Sequence, residues 1–88
     1  MRPVKTHTFN RVRFDIDLYG KAIDGKCDYP YQCKPVIMIC EDVNNYKGLE
    51  SIIHECLHAE QWAKGEDVVD RTAREIAKFL WRLNFRRQ

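Results

Sequence analysis

"GLESIIHECLHAEQWAKGEDVVDRTAREIAKFLWRL", Gly48 to Leu83, carries two helical patterns separated by Lys64-Gly65. In the first, Ile52, Ile53, Cys56 and Leu57 form an apolar face roughly opposite two histidines. In the second, Val69, Thr72, Ala73, Ile76, Leu80 and Leu83 recur at i, i+3, i+4 spacing, the stripe of an amphipathic helix. Asn44 and Asn45 are cap candidates for a helix from about Lys47 to Ala63, because their short side chains accept from orphan helix N–H groups. Lys64-Gly65 supplies the stop, with the glycine free to take a left-handed C-cap conformation. The second helix is expected from about Glu66, with acidic residues at its positive pole and Arg82, Arg86 and Arg87 near its negative one.

Working back toward the N-terminus, "RVRFDIDLYG" alternates. Val12, Phe14, Ile16 and Leu18 point one way, while Arg11, Arg13, Asp15 and Asp17 point the other, as in a half-buried strand. "AIDGKCDYPYQCKP" holds Gly25, Pro30 and Pro35 and reads as a turn and loop. "VIMIC", Val36 to Cys40, is apolar on both faces and reads as a second, more buried strand. The expected fold is α+β: a small β-sheet of two to three strands packed on a C-terminal antiparallel two-helix hairpin. With 88 residues, the whole of 1–88 is expected to form one domain.

Apolar residues make up 44% of the chain and charged residues 32%, the balance of a folded globular protein. No run reaches the roughly 18 apolar residues of a membrane span, and "MRPVKTHTFN" lacks the apolar core of a secretory signal. A cytoplasmic location without membrane association is therefore expected, with Cys27, Cys33, Cys40 and Cys56 as reduced thiols. A net charge of +2 does not call for nucleic acid. Phe79, Trp81 and Phe85 with the terminal arginines read as core plus a solvated C-terminus rather than a nucleic-acid surface.

The histidines supply the chemistry. Residues four apart lie on one face of a helix, about one turn from each other, so His54 and His58 can aim ring nitrogens at one point. Zinc binds such nitrogens at about 2.0–2.1 Å. Glu55 is rotated about 100° from His54, beside the ion rather than bound to it. There it can take a proton from zinc-bound water and pass it to a leaving amine.

"HECLH" matches the H-E-x-x-H motif of the zincin metallopeptidases. The stretch from Gly48 to Leu83 resembles the C-terminal half of very small zincin-like proteins, several of them phage-encoded. The resemblance implies a hydrolase of peptide or protein substrates, with Zn²⁺ as cofactor and Glu55 as the catalytic residue. It also implies a minimal zincin core in which Val36–Cys40 is the edge strand that pairs with the substrate. The metzincin continuation is absent from "HAEQWAKGED", so a gluzincin-like or aspzincin-like site, with a carboxylate as third ligand, remains. Folding the helices about Lys64-Gly65 sets His58 and His54 across from positions near 71 and 75, which ranks Glu75 first beside the histidines. Asp70 comes second: it is near the same level and falls on the ligand position of the gluzincin glutamate helix, with a shorter side chain. Glu66 comes third, since it would require the first helix to end early.

The alternative is a non-catalytic, zinc-stabilised protein-interaction module, because a small core is where a metal adds folding energy. Among other residues, His7 reads as a surface histidine. Tyr29, Tyr31 and Tyr46 read as half-buried aromatics that could also donate a proton at the site. Trp62 reads as hairpin packing that could also wall a pocket.

Overall fold

The chain first reverses at Asn10 and Arg11, whose φ values of 47° and 68° are the pair that a two-residue type I′ turn requires. A computed structural model describes residues 4–19, 25–40 and 45–85. This turn joins its first two strands, β1 (Thr6–Phe9) and β2 (Val12–Tyr19), in antiparallel register with Phe9 opposite Val12. The alternation read in β2 holds: Phe14 is buried, Val12 and Ile16 are partly buried, and Arg13, Asp15 and Asp17 are exposed.

Among the described residues the sheet has four strands rather than two or three. β3 (Gly25–Cys27) and β4 (Val36–Cys40) complete it, in the order β1-β2-β4-β3. β4 runs parallel to β2, with Ile37 beside Ile16, and antiparallel to β3, with Ile37 opposite Cys27. The expectation that Val36–Cys40 forms an edge is thus overturned. β4 lies between β2 and β3, which suits its apolar residues on both faces, and among the described residues the edges are β1 and β3. Asp28 closes the loop between β3 and β4. Its carboxylate accepts from the Val36 N–H at 3.0 Å and from the Gln32 side-chain amide at 3.1 Å.

α1 (Tyr46–Glu60) and α2 (Glu66–Arg82) follow. Asn45 caps α1, its side-chain oxygen 2.7 Å from the Gly48 N–H. α1 ends three residues before the expected Ala63, at a Gln61 whose backbone is extended. Gly65 is not the left-handed stop of α1 but the extended N-cap of α2, so the connection is a five-residue link, 61–65. α2 closes on Asn84, at φ 65°. The Phe85 N–H reaches the Leu80 carbonyl and the Asn84 N–H reaches that of Trp81, a Schellman closure.

α1 is the middle layer. One side meets the sheet, where Phe14, Ile37 and Ala59 are buried together and Phe9, Val12, Ile16, Cys27 and Ile39 pack around them. The other side meets α2, which among the described residues packs on α1 and reaches no strand. Val69, Ala73 and Ala77 are the buried residues of α2. Ile76, Leu83, Phe79 and Phe85, expected in the apolar stripe or core, are exposed, because only the narrow face toward α1 is covered. No described helix is long and apolar enough to cross a membrane. Cys27, Cys33 and Cys56 are free thiols. The expectations for Asn44, Arg86 and Arg87 and for the side chains of Leu18 and Cys40 lie outside the described residues.

Candidate metal centre

His54 and His58 leave the same face of α1, one turn apart, with ring centroids 4.8 Å apart. Because α1 stops at Glu60, the turn brings the start of α2 level with them. Tyr46 marks the pairing at the far end, where its hydroxyl donates to the Arg74 carbonyl at 3.2 Å. This shifts the register of the hairpin by a few residues from the fold-back about Lys64-Gly65. Glu66 is therefore the carboxylate brought to the histidines, not the first-ranked Glu75. Among the described residues, the group that could hold a metal ion is His54, His58 and Glu66. Glu75 is exposed and lies outside it, more than two turns further along α2. Asp70, ranked second as a ligand, is beside His54 on the ring nitrogen that faces away from the group.

The contacts define what the group lacks. Asp70 accepts from His54 Nδ1 at 3.0 Å, which places the proton of a neutral ring on Nδ1 and its lone pair on Nε2. That Nε2 is 3.0 Å from one Glu66 oxygen and 3.2 Å from His58 Nε2. His58 Nε2 is in turn 3.1 Å from the other Glu66 oxygen. Facing lone pairs repel, so the cluster calls for positive charge at its centre, either as protons on the rings or as one cation. Two imidazoles and a carboxylate form a known three-ligand set for catalytic zinc. Tetrahedral bonds of about 2.0–2.1 Å would hold such atoms about 3.3–3.4 Å apart. The two ring nitrogens, 3.2 Å apart, are close to that spacing, with one Glu66 oxygen at 3.0 Å from the first and the other at 3.1 Å from the second.

Glu55 stands beside this group rather than in it. It is half-buried and lines a cavity of about 410 Å³ together with Lys26, Cys27, His54, His58, Trp62, Lys64 and Glu66. Burial pushes its carboxyl above the ordinary range, opposed by His54 and His58 and reinforced by Glu66. A cation at the cluster would pull it back down. Burial, followed by the Glu55 charge, pushes the Cys27 thiol up to about 12 and raises Cys56 as well. Cys27 is therefore a neutral thiol at physiological pH.

The other candidates are placed as follows. Trp62 is 41% exposed, with its ring 5.8 Å from that of His58 and 5.7 Å from that of Tyr29. It walls the cavity rather than filling the hairpin. Tyr29 and Tyr31 are exposed, not half-buried. Tyr46 is committed to the far end of the hairpin, and His7 packs on Phe9 in β1. Sequence reasoning missed Lys26, Cys27 and Lys64 as cavity residues and Asp70 as the partner of His54 Nδ1. A signal existed for Asp70: Glu66 and Asp70 are four apart, as the histidines are, and so share a helix face. No family model, curated protein or solved structure matches this chain.

Proposed function

We propose that this chain is a minimal zincin-like metallopeptidase that hydrolyses peptide bonds with zinc. The observation that carries the reading is the convergence of His54 Nε2, His58 Nε2 and the Glu66 carboxylate, with Glu55 unbound beside them. His54, His58 and Glu66 would hold the ion. When bound, zinc supplies a Lewis acid that lowers the pKa of a water toward ~7 and polarises a carbonyl.

The chain's own residues do the rest. Glu55, half-buried beside the group and lining the same cavity, takes the proton of the attacking water and delivers it to the leaving amine. Asp70 holds the His54 ring in orientation through Nδ1. β3, the edge strand beside the cavity, takes the role first given to β4. The Asp28 N–H donates to the Val36 carbonyl, so by alternation Cys27 turns its N–H and C=O to the open edge, where an extended peptide can pair.

A site of these three protein ligands would keep a coordination position for water, as catalytic zinc sites do, whereas a zinc that serves folding alone takes a fourth protein ligand. The test is Glu55→Gln in zinc-loaded protein. Peptide hydrolysis should fall by at least about 10²-fold while bound zinc and melting temperature stay unchanged. Hydrolysis surviving that substitution intact would remove Glu55 from the reaction and the mechanism with it.

A further inference from the structure

Three aromatic side chains stand exposed in a row that begins at the candidate centre. Trp62 is in ring contact with His58, Tyr29 with Trp62, and Tyr31 with Tyr29 at 5.6 Å between centroids. They line a second cavity of about 260 Å³, with Val12, Pro30 and Ala59 among its walls. Trp62 belongs to both cavities. Exposed rings that turn edges and faces to a common hollow offer an aromatic or large apolar guest the tilted contacts such rings prefer. The hollow is lined mainly by apolar and aromatic side chains, as binding pockets are. Its position beside the centre, with Trp62 as the shared wall, sets its occupant next to whatever lies over His58.

We propose that this hollow is a specificity pocket for an aromatic or large aliphatic side chain, carried by the residue on the amino side of the bond cleaved. The proposal rests on the peptidase reading and names the substrate class of that same site. The side follows from direction. β3 runs from Gly25 toward Tyr29, so the hollow lies beyond its C-terminal end. A peptide in the more stable antiparallel pairing enters from that end, with its N-terminal part over Tyr29 and Trp62.

The test uses two blocked hexapeptides, acetyl-Gly-Gly-Phe-Gly-Gly-Gly-amide and its Ala analogue. Zinc-loaded protein should cleave the first after Phe, with kcat/KM about 10–100-fold above the analogue, the range that pocket filling gives. Trp62→Ala should bring that ratio toward one. Tyr31→Ala, at a largely exposed residue outside the core, should lower it with no folding risk. Binding to the Glu55→Gln protein, read by titration calorimetry, should show the same Phe-over-Ala preference. If nothing is cleaved but that binding preference persists and is lost in Trp62→Ala, the peptidase reading fails and the pocket stands. Cleavage without preference, or with preference for Phe on the carboxyl side, overturns the pocket proposal and leaves the peptidase intact.

Discussion

The two sides of α1 are built by different means. Toward the sheet, Phe14 and Ile37 interlock with Ala59 under a ring of partly buried apolar residues, and the contact is held by apolar area. Toward α2, the buried residues are Val69, Ala73 and Ala77, small side chains that let the helices approach but bury little. That second interface adds the Tyr46–Trp81 ring contact and is bridged by polar groups: Tyr46 to the Arg74 carbonyl at one end, and His54 and His58 to Glu66 and Asp70 at the other. A helix with a weak apolar hold thus depends on the centre it helps to form. The sheet does not.

Four substitutions or treatments sharpen this contrast. Phe14→Ala should have the largest effect, about 3–5 kcal/mol by denaturant titration, and should act whether or not zinc is present. A stability loss under 1 kcal/mol would mean that the sheet side is not the principal core. Next, zinc at about 100 times its Kd should add about 2.7 kcal/mol. Chelation should therefore lower the melting temperature by roughly 10–20 °C and should raise amide exchange in α2 well above that in β2 and β4. Uniform exchange would erase the contrast.

Asp70→Asn should weaken zinc binding about 10–100-fold in a competition titration while leaving the metal-free melting temperature nearly unchanged. A larger change in the metal-free protein would recast Asp70 as a fold residue. Asn45→Ala, which removes the cap of the helix shared by both sides, should cost about 1 kcal/mol. That cost should be equal in zinc-loaded and metal-free protein; a difference between them would show that α1 frays toward the centre.

Much of the fold was legible because long patterns specify their own partners. Val12 to Tyr19 alternates, Val36 to Cys40 is apolar throughout, and the helices announce themselves by cap and stripe. β1 and β3 were not legible. "THTF" is exposed except for Phe9, and "GKC" is three residues whose strand geometry comes from pairing with β4. Missing β3 also misassigned the edge of the sheet.

At the centre, the spacing of His54, Glu55 and His58 carried its own geometry. The third carboxylate did not, because its level depends on where α1 stops. Taking Lys64-Gly65 as the pivot set Glu75 level with His54, whereas the histidines meet Glu66 and Asp70, about five residues nearer the turn.

The five-residue link 61–65 has a consequence for how such a centre is inherited. It acts as a ruler: its length sets the level at which α2 starts against α1, so a change of length there would move Glu66 and Asp70 against the histidines together, with every chemical group still in the chain. Spacing and ligands must therefore travel as one unit, H-E-x-x-H, seven residues, E, three residues, D. A genome scan for that whole string would find the chains able to build this hairpin, where a scan for the pentapeptide alone would return mostly strangers.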